Sequence, residues 1–387
     1  MQGRGHIGIV GAGLGGLAAA ALLLRAGYRV TVFEQAPGFA RVGAGIQMGA
    51  NAMKALRALG LDGEVRRIGF RPESLLNRDH DTGAVTNELP GGDALEARYG
   101  APHMCLHRAD LHAALAAAVP AEHLRLGRKL AGLDQHTAGV TLTFTDGARE
   151  TVDAVIAADG VHSVVREQML GAEAPRFTGR VAYRTVFPAA LLGDRQLGNS
   201  RTKWWGQDRH LVMYYITAAR DEVYFVTSQP EDPSWMTPES WSARGDVEAL
   251  RASFADFHPD VRHVLAACPQ VWKWALLARD PLPHWVEGRV ALLGDACHPM
   301  SPYMAQGAAM ALEDAVILSR CLAETEADGI AGAFRRYEAN RMPRATDIQS
   351  LSAENTFLRR PGGTDWVYGY DATTAPLDEP GTRRAAA

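Results

Sequence analysis

Cysteine is scarce in this chain: Cys105, Cys268, Cys297 and Cys321 are scattered through 387 residues with no C-x-x-C spacing. That scarcity excludes a zinc ribbon or a disulfide framework; reduced thiols and no metal centre are expected. A surplus of one charge is also missing. Forty Lys and Arg against 44 Asp and Glu leave a net charge of −4, and with no basic run there is no electrostatic footprint for nucleic acid. The longest apolar run, Leu17–Leu24, is too short to span a bilayer. The first apolar strand opens at Ile7, which leaves no room for a secretory leader, so a cytoplasmic protein without membrane contact is expected. A 47% hydrophobic content suits a globular protein with two packed regions.

The pattern that organises the chain lies at residues 7–34. An apolar β run (Ile7, Ile9, Val10) enters Gly11-x-Gly13-x-x-Gly16, an Ala/Leu-rich helix follows to Arg25, Gly27 closes it, and a second strand ends at Glu34. This is a βαβ unit with a dinucleotide fingerprint. Gly11 permits the tight turn, Gly13 lets a pyrophosphate approach, Gly16 lets helix and strand pack closely, and the helix N-terminus beyond Leu14 and Gly15 faces the negative charge. Glu34 is spaced to accept adenosine ribose hydroxyls, with Gln35 beside it. On this evidence the nucleotide is FAD or NAD.

Downstream, Arg41-Val-Gly-Ala-Gly45-Ile46-Gln47 puts glycines next to an arginine, which suits a backbone lying against a flat ring or phosphate, or else a simple turn. Ala50–Leu59 reads as a helix, residues 70–100 as a small antiparallel excursion, and Arg108 opens another helix where it can hold a phosphate or flavin edge or serve as a surface cation. Strands are expected at 125–130 and 139–144. A buried strand then delivers Asp159-Gly160 to a turn at its carboxyl end, where open α/β sheets bind ligands. Residues 177–230 alternate as an antiparallel sheet does. The α/β texture returns in the strand before Gly294-Asp295, the Pro299–Pro302 loop with Tyr303, and a helix from Gly307-Ala308 whose N-terminus is a fixed partial positive charge. A last helix is expected over 332–355 with Arg341 and Arg344 on a solvent-facing or interdomain side, and the tail from Pro376 is expected to fray.

The early G-x-G-x-x-G with Glu34, the central Ala158-Asp159-Gly160 and the late Gly294-Asp295-Ala-x-His298-Pro299 together resemble the FAD-dependent single-component aromatic hydroxylases, the group of p-hydroxybenzoate and salicylate hydroxylases. The resemblance implies an α/β fold with a Rossmann-like FAD-binding part and a β-sheet substrate domain. The implied division is 1–75, 101–176 and 277–358 for FAD binding, 76–100 and 177–276 for substrate, and 359–387 as a C-terminal tail. It implies bound FAD, transient NADH or NADPH, O2 and a small aromatic or pyridine carboxylate as partners, in a monomer or homodimer. Asp295 would hold the ribityl chain, Arg108 the flavin phosphates or ribityl, and Asp159 the pyrophosphate region.

Lys203-Trp-Trp205, Asp208-Arg-His210, Tyr214-Tyr215 and Trp366-Val-Tyr-Gly-Tyr370 are similar to the branch that hydroxylates pyridinecarboxylates with loss of CO2. Gln47, Arg201 and Tyr303 depart from it, standing where that branch has histidine, cysteine and histidine. The implied substrates are 6-hydroxynicotinate or its isomer 5-hydroxypicolinate, either giving 2,5-dihydroxypyridine. A salicylate- or hydroxybenzoate-type hydroxylase, or a flavin reductase without oxygen insertion, is the rival reading. His210 is a candidate base or ring-orienting group, or a histidine satisfied at a strand end. Tyr214 and Tyr215 project to opposite faces, so only one can face the pocket, and the resemblance implies Tyr214. Gln47 can read a ring nitrogen or hydroxyl without serving as base. Arg201 either pairs with a substrate carboxylate or is a solvated loop residue, and Tyr303 is expected close to the flavin.

Overall fold

A computed structural model describes residues 4–41, 43–232, 235, 243–323, 325–359 and 362–381. Val42 of the glycine-rich stretch and residues 382–387 of the tail lie outside the described residues.

Two sheets carry the fold. The first is six-stranded, in the order 286–287, 290–292, 154–157, 6–10, 29–34, 124–126. Its pairings are parallel apart from the short hairpin at 286–291. Ile7, Ile9, Val155, Ile156 and Leu292 are fully buried because helices cover one face of this sheet and a three-stranded antiparallel sheet, Leu130–His136, Gly139–Phe144 and Arg149–Val152, packs on the other. The helix Leu14–Arg25 packs against the long helix Gly307–Leu322 through small residues: a Cβ on Gly15 would sit 3.2 Å from the Ala311 Cβ.

The second sheet has eight strands, ordered 244–245, 271–278, 176–188, 222–230, 210–215, 200–205, 74–79, 85–90. It is antiparallel except where Ser200–Trp205 runs parallel to Ser74–Asp79. The strand His210–Tyr215 is buried along its whole length. A two-stranded ribbon, Gly45–Met48 with Met104–His107, joins the two halves and brings Gln47 to their junction.

Several expectations need correction. The strand expected at 125–130 breaks at Gly127, which takes φ +71°, and resumes at Leu130–His136. The 70–100 excursion contains a helix, Gly92–Tyr99, besides its hairpin. The tail is held as far as Glu379: Asn340 exchanges hydrogen bonds of 2.8 and 2.7 Å with the Asp378 backbone, and Arg336 pairs with Glu379 at 2.9 Å. Arg341 faces neither solvent nor a domain interface. It is fully buried and pairs with Glu313 at 2.8 Å and Asp314 at 2.7 Å, because the helix Ile330–Glu354 turns that side onto the helix Gly307–Leu322.

Candidate active site

The turn after the first strand is built as its glycines demand. Gly11 takes φ +100°, and a Cβ there would sit 2.3 Å from the Ala158 carbonyl oxygen, while one on Gly16 would sit 2.0 Å from the Gly11 oxygen. Gly13 has nothing within 4 Å of its Cβ position and opens onto a cavity of about 390 Å³. Two helices, Leu14–Arg25 and Gly307–Leu322, begin at this cavity, and neither has a side-chain cap on its first N–H groups. Those uncapped donors and the two dipoles suit an anionic or strongly hydrogen-bonding occupant.

Leu14, Gly15, Gly16, Gly45, Ile46, Gln47, Arg108, Tyr214, Gly294, Asp295, Pro302, Gly307 and Ala308 all line this cavity. Glu34 lies at the end of the second strand, and its carboxylate accepts from the backbone N–H groups of Ala12 and Ala36, both at 2.8 Å. It therefore holds the glycine turn in place besides offering lone pairs to a ribose. Gln35 is exposed beside it, and Arg41 is an exposed residue paired with Asp110 and Glu222, away from the cavity wall. Asp159 accepts from Val165 N at 3.3 Å and leaves its Oδ1 buried without a partner.

Asp295 opens to the cavity but is enclosed by protein elsewhere, and burial raises its carboxyl above the usual range against the pull of His298 and Arg108. A network behind it fixes this loop. Asp314 accepts from Gly294 N at 3.1 Å, His298 Nε2 at 2.6 Å and Arg341 Nε at 2.7 Å. Burial works against the charged His298 ring, but Cys297 and Asp314 outweigh it and hold the imidazole well above its ordinary range. Donor atoms of Cys297, His298 and Asp314 lie within 4.8 Å of one another, yet both Asp314 oxygens are already committed to the ring, the guanidinium and a backbone amide. Glu313 pairs with Arg341 and with Arg344 at 2.9 Å and accepts from Asn51 at 2.7 Å; Asn51 in turn donates to Gln306, just before the second helix, at 2.8 Å.

The far end of the cavity is formed by the second sheet. Gln47 accepts from Arg201 Nε at 3.2 Å. Arg201 lies on the strand Ser200–Trp205 and is 5% exposed, so it is no solvated loop residue. Among the described residues its Nη1 has no hydrogen-bond partner, and the groups around it are Tyr368, Cys105 and Tyr214 rather than a carboxylate. His103 is buried close by with neither ring nitrogen bonded. Tyr214 lines the cavity with its phenol held well above the usual range by burial and by Tyr224, whereas Tyr215 packs on Phe70 and bonds Leu197 N.

His210 and Tyr303 lie against each other, ring centroids 5.5 Å apart, adjoining the cavity next to its lining residues Tyr214 and Pro302. Tyr303 Oη is 3.0 Å from Ser228 Oγ, and His210 Nδ1 is 3.4 Å from Asn355 Nδ2. Burial, aided by Lys203, Arg180 and Arg201, drives the His210 imidazole well below its ordinary range, so it is neutral. Sequence reasoning missed Arg184, Tyr224 and Trp274 of the cavity wall and the Lys203–Asn355 pair behind it. Period-2 alternation from Tyr214 could have singled out Val212 and His210 as sharing its face, but strands remote in sequence gave no such signal for the rest.

Comparison with known proteins agrees with this geometry. The chain is 48% identical over 387 residues to 6-hydroxynicotinate 3-monooxygenase of Bordetella bronchiseptica, covering all of both chains. It is 44% identical to the enzyme of that name from Pseudomonas fluorescens, over 98% of this chain and 99% of the relative. A solved salicylate hydroxylase substrate complex superposes with TM-score 0.83 at 26% identity, covering 96% of this chain and 97% of the other. Residues 5–352 match the family described as FAD binding domain. The two uncapped helix N-termini, the open Gly13 and the cavity-facing Asp295 and Arg108 fit that cofactor, and the chain belongs to the FAD-dependent aromatic hydroxylases.

Proposed function

We propose that this enzyme hydroxylates a hydroxylated pyridinecarboxylate at the carbon that bears the carboxylate, with 2,5-dihydroxypyridine as product from 6-hydroxynicotinate or 5-hydroxypicolinate. One oxygen atom of O2 enters the ring, the other leaves as water, NAD(P)H supplies two electrons and the carboxyl leaves as CO2. The observation that carries this reading is Arg201, a guanidinium 5% exposed beside a cavity-lining Gln47 and Tyr214, with Nη1 unpartnered. A buried cation in that state favours an anionic ligand, and a guanidinium fork matches a carboxylate.

Bound FAD, once reduced, supplies the electrophilic oxygen. The protein's own groups bind, orient and exclude water. Gly13, Gly16 and the helix starting at Leu14 would take the pyrophosphate; Glu34 the ribose; Asp295 and Arg108 the ribityl chain and phosphates; the helix starting at Gly307 the electron-rich edge of the ring system. Arg201 holds the substrate carboxylate, Gln47 and Tyr214 its ring atoms, and neutral His210 together with Tyr303 the ring hydroxyl para to the attacked carbon. A polarised or ionised hydroxyl there raises electron density where the oxygen arrives. On this reading the six-stranded sheet region binds FAD and the eight-stranded sheet binds substrate. Four buried, unpaired cysteines favour a reducing compartment such as the cytoplasm.

The test is substrate-stimulated NAD(P)H oxidation across hydroxylated pyridine- and benzenecarboxylates, with CO2 and product identity recorded. Turnover of 6-hydroxynicotinate or 5-hydroxypicolinate to 2,5-dihydroxypyridine is expected. Preference for salicylate or a hydroxybenzoate, or NAD(P)H oxidation without oxygen insertion, would overturn the substrate assignment.

A further inference from the structure

Lys203 is buried in the second sheet at 2% exposure, two residues along the strand from Arg201 and on the same face. Its Nζ sits 3.7 Å from the centre of the Trp205 ring and 3.0 Å from Asn355 Oδ1. The charged groups around it are Arg201, Arg359 and Arg180; among the described residues no carboxylate is paired with it. Asn355, in the left-handed conformation at φ 53°, caps the helix Ile330–Glu354 and reaches down into this gap. Its other amide atom, Nδ2, lies 3.4 Å from His210 Nδ1.

These contacts are directional. Burial and the surrounding guanidinium groups hold Lys203 well below its ordinary range, and its amine N–H donates to Asn355 Oδ1. With the amide so placed, its NH2 faces His210 Nδ1, which then accepts. In a neutral imidazole an accepting Nδ1 leaves the proton on Nε2. Trp205 braces the same group from the other side: its ring tilts against His210 at 5.3 Å and its Nε1 donates to Asn77 Oδ1 at 2.8 Å.

We propose that Lys203 and Asn355 are positioning residues that lock His210 as the Nε2–H tautomer, so that it donates a hydrogen bond to the substrate's ring oxygen instead of removing a proton from it. The proposal rests on the substrate reading above for the identity of that oxygen, but not for the tautomer. A site that only donates at this point selects the ring oxygen in its ionised form.

The tautomer is read directly by 15N NMR of histidine-labelled holoenzyme, with the His210 signals assigned by their loss in His210→Asn. The expected wild-type spectrum has His210 Nδ1 in the unprotonated range and Nε2 protonated. Asn355→Asp replaces the donor by an acceptor, and Nδ1 should become protonated. Lys203→Met releases the amide, and the Nδ1 signal should move toward the protonated position; Lys203→Arg, a donor-only group, should restore it. A protonated Nδ1 in the wild type, or an Nδ1 signal unmoved in both Asn355→Asp and Lys203→Met, would overturn the proposal. Ligand binding, followed by the flavin spectrum, gives the second readout. Lys203→Met should weaken 6-hydroxynicotinate about tenfold, the value of one hydrogen bond to a charged group, and leave nicotinate, which has no hydroxyl, unchanged. Equal weakening of both ligands would point to general damage and refute the role. If 6-hydroxynicotinate binds to neither enzyme while the tautomer shifts as expected, the substrate reading fails and the relay stands.

Discussion

Replacing Arg201 by Met tests the carboxylate subsite most directly. In the free enzyme the guanidinium is buried, donates to Gln47 Oε1 at 3.2 Å, and has Nη1 without a partner. A charged hydrogen bond contributes about 1.5–3 kcal/mol, and a carboxylate stripped of its buried partner costs 2–5 kcal/mol or more. Taking about 3 kcal/mol, Arg201→Met should weaken 6-hydroxynicotinate binding roughly 150-fold. Arg201→Lys keeps the charge but loses the fork, and should fall between. The fold should not suffer, because the variant removes a buried charge that no acid neutralises; the melting temperature should hold or rise. The assay is titration of holoenzyme by flavin absorbance with 6-hydroxynicotinate and with 2-hydroxypyridine, the same ring without the carboxyl group. Only the carboxylate ligand should lose affinity. If Arg201→Met binds 6-hydroxynicotinate within threefold of wild type, the carboxylate is held elsewhere and the argument from the unpartnered guanidinium fails.

Asp314→Asn keeps the shape of the network behind Gly294 but breaks the buried pairs with His298 and Arg341, and should cost about 3–5 kcal/mol with loss of FAD on gel filtration; an unchanged melting temperature would contradict it. Glu34→Ala removes the acceptor for Ala12 N and Ala36 N as well as a ribose contact, so FAD affinity of the apoprotein should fall about 10- to 100-fold, and undiminished flavin occupancy would count against the assignment. Burial, with Arg201 nearby, lowers His103 to about 3. Its unfolded form takes a proton below about 6.5 and the folded form does not, so stability is full above that pH and declines by about 1.4 kcal/mol per unit as pH falls toward 3. His103→Phe should flatten that slope in denaturant melts at pH 6.5, 5.5 and 4.5, and parallel slopes would refute it.

The nucleotide half was legible because its signals are local. Gly11, Gly13, Gly16 and Glu34 lie within one βαβ unit, and each glycine answers a steric demand that appears in the structure as a Cβ clash or an open face. The late Gly294-Asp295 turn was legible for the same reason. Arg341 was not, because a 25-residue helix of low amphipathicity gives no hint of which side its arginines take; only the Glu313-Asp314 pair on another helix decides it. The substrate end was half legible. Alternation put one of Tyr214 and Tyr215 on the cavity side and the resemblance chose Tyr214, but Arg201 reaches Gln47 across 154 positions, and Asn355 reaches His210 across 145. No period in the sequence encodes such meetings.

The charge balance of that end gives the departures from the pyridinecarboxylate-hydroxylating branch a physical meaning. The resemblance to that branch implies a histidine, a cysteine and a histidine where this chain has Gln47, Arg201 and Tyr303. An amide and a phenol replace two imidazoles, and a permanent cation replaces a thiol. Arg201 and Lys203 then lie two residues apart on one strand, both buried, with a neutral His210 across from them. A buried guanidinium with no matching acid among the described residues is unfavourable in the free protein and becomes favourable when an anion arrives. Such a site gains its affinity from the ligand's charge more than from its shape. It should therefore tolerate moving the ring nitrogen between positions better than it tolerates removing either the carboxylate or the hydroxyl. Equal binding of 6-hydroxynicotinate and 5-hydroxypicolinate, each at least tenfold tighter than nicotinate or 2-hydroxypyridine, is the expected order; a site that separates the two isomers more sharply than it separates either from nicotinate reads the nitrogen, and electrostatics would not be what selects its substrate.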